Sequence, residues 1–252
     1  MSLIIFASIV SQLPAQFGGA YQVTAGQGRI GQFSFLMLMF FLMIVGIIYV
    51  EQGQRRIPIQ FAKRVRGRKV MGGQSTYIPL KVNSAGVIPV IFATSILFFP
   101  ALVATSLPQD NSVTAAIRNW IDVNLANSQG TTWFYIFFLG ILIIFFTYFY
   151  TTIQFDPVRQ SDMIRRQGGF IPGVRPGIST TNYLSHILNR ITLPGSIFLA
   201  SVAVLPSIAS AIWDIPLGFS GISILITVGV ALETMKQIES QLSMRNYEGF
   251  ID

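Results

Sequence analysis

The chain of 252 residues is 52% hydrophobic and 11% charged, contains no cysteine, and has a mean hydropathy of +0.59. Soluble domains carry about 25% charged residues, so this composition excludes a water-soluble globular chain and a disordered one. Without cysteine there is no disulfide scaffold, thiolate metal centre or cysteine nucleophile. Seventeen basic against ten acidic residues leave a net charge of +7, and in a membrane protein the placement of that charge matters more than its total.

A bilayer core of about 30 Å takes roughly 20 apolar helical residues, because lipid offers the backbone no hydrogen-bond partner. Residues 1–17 are apolar but short for a full span and read as part of a transmembrane helix. They have neither the basic start nor the small-residue cleavage pattern of a signal peptide. An external loop is expected over 18–32. The uncharged run FSFLMLMFFLMIVGIIYV at 33–50 is the clearest span, and further spans are expected at 83–107, 133–155, 191–213 and 221–238. Arg55, Arg56, Lys63, Arg64, Arg66, Arg68, Lys69 and Lys81 all fall within 51–82, and Arg159, Arg165, Arg166, Arg175 and Arg190 within 156–190. Basic loops stay on the cytoplasmic side, which orients the bundle. The intervening 18–32, 108–132 and 214–220 carry only Arg29 and Arg118 and are expected outside, with 239–252 a cytoplasmic tail. The expected fold class is therefore an all-α multi-pass membrane helical bundle.

The first basic loop is more than a tether. RIPIQFA at 56–62 and STYIPLKV at 75–82 both alternate in polarity around a basic tip, which predicts a protruding hairpin. The tip KRVRGRK at 63–69 has five cations and no acid. It suits a polyanion such as RNA phosphate, an acidic protein face or anionic lipid; charge alone is better explained by ordinary positive-inside bias, and it is the loop's length and hairpin pattern that point to a docking surface. In the second loop, QGGFIPGVRPG at 167–177 sets four glycines and two prolines around Arg175. Restricted backbone would hold such a turn in one shape with a guanidinium at its tip; a rigid connector with an incidental cation reads the same residues.

Enzyme chemistry finds little footing. His186 is the only histidine, so a Ser-His-Asp triad would have to use it, and its polar surroundings favour a solvated or packing role. No spacing matches a metal site, a P-loop or a dinucleotide fingerprint; no cofactor is expected. Glu233 is the one acid close to the membrane depth of a span, where an acid suggests a function such as a proton relay, but Lys236 one turn on favours an interfacial ion pair. Asn83, Ser84, Thr94 and Ser95 give the third span weak polar character, explained by interhelical hydrogen bonds or by a water-lined path. Pro89 and Pro100 predict a bend in the same span.

The ordered runs EQGQRRI at 51–57, QSTYIPLKVNSAGVIPVIFA at 74–93 and FIPGVRPG at 170–177 closely resemble the SecY family, the channel subunits of the bacterial protein translocon. The resemblance extends over essentially the whole chain, from within the family's fifth helix through its tenth, and implies half of an inverted-repeat channel. It implies that the two basic loops dock the ribosome or the SecA motor, with Arg68, Lys69 and Arg175 as the leading contacts and Arg64 and Arg66 beside them. It also implies a pore ring of aliphatic side chains to which this chain gives Ile5, Ile91 and Ile226, with Met1 a further member. Branched uncharged groups cannot replace an ion's hydration shell, so such a collar dewets, yet it deforms around an extended polypeptide. The third span resembles one side of a lateral gate, with Asn83, Pro89, Thr94 and Ser95 on it, and 18–32 resembles the hinge between halves.

Implied partners are an N-terminal half of SecY carrying the plug and the opposite gate wall, SecE-like and SecG-like subunits, the SecA motor, the ribosome, a secretory polypeptide with its signal sequence, and the lipid bilayer. The implied location is the bacterial plasma membrane. The implied activity is that of a passive, non-enzymatic conduit that passes secretory chains across and releases apolar segments sideways. The alternative is a secondary transporter for a small solute, which would need convergent polar groups near mid-membrane.

Overall fold

The computed structural model describes residues 2–26, 28, 30–61, 64–66, 69–71, 75–106, 112–125, 132–213 and 220–248. Hydropathy and helix go together. Five helices among the described residues are long and apolar enough to cross a membrane: α2 (Ile30–Gln52), α3 (Ile88–Ser106), α5 (Trp133–Gln154), α7 (Ile178–Trp213) and α8 (Gly221–Glu248). They are preceded by α1 (Ser2–Gly26). The main core joins Ile47 of α2, Val90 and Leu97 of α3, Ile143 of α5, Leu199 of α7 and Leu225 of α8. Large apolar side chains such as Phe41, Phe98, Phe137 and Phe145 point outward, as expected of helices whose solvent is lipid. Backbones approach closely at two glycines. A Cβ on Gly195 would lie 2.7 Å from the Val82 carbonyl oxygen, and one on Gly221 would overlap the Val202 carbonyl oxygen.

A second core sits at one end of the bundle. Strand β1 (Gln54–Phe61) pairs antiparallel with β4 (Ser75–Lys81), Ile57 opposite Ile78, confirming the hairpin. Beyond them, β2 (Arg64–Arg66) and β3 (Lys69–Met71) form a two-stranded ladder with Val65 opposite Val70. A short β5 (Gly169–Phe170) pairs with the other edge of β1, giving the order β4-β1-β5. Pro58 is tolerated in the central strand because β5 reaches only Gln60 and Phe61, so at Pro58 the ladder has β4 alone on one side. Helix α6 (Pro157–Arg166) starts where Asp156 accepts from the Val158 N–H at 2.9 Å, with Pro157 in the first turn where its missing N–H is not needed. Ile57, Ile59, Leu80, Ile164, Ile171 and Leu184 bury together beneath this sheet.

The long α7 connects the two cores. Its 36 residues span about 54 Å at 1.5 Å per residue, well beyond the hydrocarbon thickness. Leu184 and Ile187 lie in the sheet core, Leu199 and Val202 in the bundle core.

Several boundaries differ from expectation, each for a physical reason. The stretch 18–32, expected as a loop, is helix through Gly26, with α2 resuming at Ile30. Its polar residues do not break helices, and Thr24, 1% exposed, returns its hydroxyl to the Ala20 carbonyl at 2.8 Å. The break comes instead at Gly28, whose φ is +69°. Residues 83–87 precede α3 as bends and turns with Gly86 at φ +65°. That puts Pro89 in the first helical turn, where it causes no kink; Pro100 is the interior proline. The expected external loop 108–132 contains α4 (Ser112–Asn124). Helix α7 begins at Ile178 rather than near 191, because Leu184 and Ile187 have the sheet to bury against. Helix α8 continues beyond 238 to Glu248 through a run of residues that favour helix.

Candidate functional site

Arg175 projects from a turn fastened at every side. Ile171 is 3% exposed in the sheet core, Val174 packs against the same core, and the Val174 N–H closes on the Ile171 carbonyl at 3.1 Å. Thr180 donates its hydroxyl to the Arg175 carbonyl at 3.0 Å, and Ser161 donates to the Gly177 carbonyl at 3.1 Å. Gly173 and Gly177 adopt φ of +85° and +110°, a region that disfavours side chains. The Arg175 side chain itself is exposed, and the ion pairs among the described residues do not involve it. The chain spends buried contacts on the backbone of this turn and leaves its cation free for something else.

The hairpin and this turn form one body. Gly169 of β5 lies against β1 so closely that a Cβ would sit 3.0 Å from Ile59 and Phe61 side chains and 3.2 Å from Ile164. Sequence reasoning read two separate loops; a two-residue strand has too little pattern to be seen in advance. Arg56 stacks over Tyr77 at 4.9 Å to the ring centroid, a cation–π contact on the hairpin stem. Of the tip residues, Arg64, Arg66 and Lys69 stand on β2 and β3 with their side chains outside the described residues, and Arg68 lies outside them altogether.

Asn83 stands before α3 rather than within it. It is 6% exposed, and its side-chain amide donates to the Glu51 carboxylate at 2.9 Å, tying the end of α2 to the start of α3. Nothing in the sequence signalled this link across thirty-two positions. Glu233 and Lys236 do not form the expected ion pair among the described contacts; Lys236 instead lines a polar cleft of about 520 Å³ with Glu51, Lys81 and Glu239. His186 is exposed on α7, and groups of acids and histidine that could hold a metal are absent among the described residues.

Ile91 on α3 is 46% exposed and Ile226 on α8 is half-buried. Their neighbours Val90, Ala93, Ile224 and Leu225 fill the core, so both isoleucines turn out of it. Met1 and the side chain of Ile5 lie outside the described residues. Thr94 donates to the Val90 and Ile91 carbonyls at 3.1 and 2.9 Å, Ser95 to Ile91 at 2.8 Å, and Thr227 to Ser223 at 2.8 Å. These hydroxyls are bound by their own helices and do not converge on a common point.

Fold and site together define a multi-pass membrane helical bundle with a polar platform at one end. The chain belongs to the SecY family, whose model matches residues 1–235. It is 47% identical over 257 residues to the protein translocase subunit SecY of Streptomyces scabiei and 46% identical over 260 residues to that of Mycobacterium leprae. Each alignment covers 100% of this chain and 56% or 57% of the relative, so the chain spans little more than half the length of these curated relatives. Among solved structures, a SecY described in connection with its plug domain and closed channel superposes with a TM-score of 0.59 at 18% identity, covering 95% of this chain and 58% of that one. Another, described as a protein-conducting channel, gives 0.56 at 18% identity over the same shares.

Proposed function

We propose that this chain is the C-terminal part of the channel subunit of a protein-conducting translocon in the bacterial plasma membrane. The observation that carries the reading is the end-to-end similarity, near half-identity, to proteins named protein translocase subunit SecY. The chain conducts polypeptides passively, and the motive force comes from partners, the SecA motor or the translating ribosome, seated on the platform through Arg175 and the basic tip at Arg64, Arg66, Arg68 and Lys69. Ile5, Ile91 and Ile226, with Met1, contribute to the aliphatic collar of the pore. Helix α3 serves as one wall of the lateral gate with Pro89, Thr94 and Ser95, and Asn83 anchors the start of that wall. SecE-like and SecG-like subunits and an N-terminal half complete the channel.

The exposure of Ile91 and the partial exposure of Ile226 support the collar, and self-satisfied hydroxyls in the spans weigh against a solute site. Membrane vesicles depleted of this protein should no longer carry a secretory precursor into a protease-protected space, and restoring it should restore protection. Undiminished protection after depletion contradicts the reading.

A further inference from the structure

We propose that α4 lies in the membrane interface, with its outward face seated at the boundary of headgroups and acyl chains, at the end of the bundle opposite the sheet. It links the end of α3 to the start of α5, so two spanning helices hold it at the level where the hydrocarbon stops. Its outward side is as apolar as its inward one, which a helix surrounded by water would not show. The side turned to the protein carries half-buried Thr114, Ala115, Arg118, Ile121 and Leu125, and Leu125 packs on the main core. Arg118 and Asp122, the only charges in the helix, pair at 3.7 Å and cancel. The outward side presents Ala116, Ile117, Trp120 and Val123, with Asn119 and the carboxylate of Asp122, paired to Arg118, as its polar groups. Ile117, Trp120 and Val123 are 48%, 52% and 64% exposed.

An apolar face does not by itself name its occupant; continuity with the spans does. The Trp120 ring meets Phe134 edge-on at 5.6 Å, and Phe134 meets Phe138 at 4.9 Å. The outward face of α4 thus runs without a polar break into the outward face of α5, where Phe137, Phe138 and Ile141 are exposed. In a spanning helix that surface belongs to lipid. Tryptophan where a span ends fits the interfacial preference of an amphipathic ring, and Trp133 begins α5 at the same level with 64% exposure. Because the helix carries no net charge, its attachment comes from buried apolar area and needs no anionic headgroup. The far end of α3 is therefore moored to the bilayer surface. The inference depends on the bundle being in a membrane and not on what the bundle conducts.

Since the chain has no cysteine, a nitroxide can be placed uniquely on it through Ala116→Cys or, separately, Val123→Cys, in the assembled protein with any cysteine elsewhere in the assembly replaced, reconstituted in phosphatidylcholine vesicles. Accessibility to oxygen should exceed accessibility to a water-soluble nickel chelate at both positions, at a depth of about 5–10 Å into the interface. Adding Trp120→Glu should shift both labels towards the chelate. A chelate preference at both positions in the otherwise unaltered chain would put the helix in water, and low accessibility to both reagents would mean a protein partner covers it; either result overturns the proposal.

Discussion

Arg175 is held by its backbone and left free at its guanidinium, and that combination separates what a substitution there does to structure from what it does to function. The turn is fixed by Ile171, Val174, Thr180 and the left-handed Gly173 and Gly177, none of which needs the Arg175 side chain. Arg175→Glu should therefore leave the bundle assembled, within the roughly 0.5 kcal/mol typical of surface changes, while blocking translocation in a vesicle import assay. Normal import by that variant would remove the docking role. The residue itself was legible from the glycine and proline pattern around a lone cation. What pins it was not, because Ser161 and Thr180 are unremarkable in sequence and act through carbonyls that only folding brings to them. The same holds for Asn83, whose residue type was noticed but whose partner, Glu51, lies on another element.

Among the elements, the sheet makes the hairpin and the Arg175 turn a single platform and α7 carries it on the bundle. Ile171 is the buried link. Ile171→Ala should cost about 2–5 kcal/mol, as large-to-small changes in cores do, and should weaken motor or ribosome binding without touching a contacting residue. Binding to the purified protein in detergent, compared with its thermal midpoint, separates the two effects; full-strength binding with a loosened core would mean the turn and hairpin act independently. Apolar runs made the five spans legible in the sequence, since lipid imposes a length and a composition. Helix ends were less so. The early start of α7 depends on burial in the sheet core and the two-residue β5 on pairing with β1, and no local signal records a tertiary contact. Helix through 18–26 was missed because Gly18, Gly19 and the polar residues after them were read as loop, although such residues lower helix propensity without stopping a helix.

At the scale of the whole molecule, the proposed collar is a dewetted aliphatic constriction, and the proposed driving partner sits at the sheet end of the bundle. Ile91 and Ile226 turn out of a core that their neighbours fill, as a lining residue would. Replacing either with Asn should wet the constriction and raise ion conductance of reconstituted channels, or relax the signal-sequence requirement, while changing stability little at Ile91, which is already half exposed. Unaltered conductance and substrate choice in both variants would show that these side chains do not form the seal.

Passage of a polypeptide through the proposed collar can be read by site-specific photocrosslinking from Ile91 in the assembled membrane complex to a secretory chain stalled in transit. A crosslink is expected that requires a functional signal sequence and is lost when the stalled chain is released. If Ile91 and Ile226 both fail to crosslink although the complex is intact and the precursor is engaged, the polypeptide does not travel along this surface and the channel reading is contradicted.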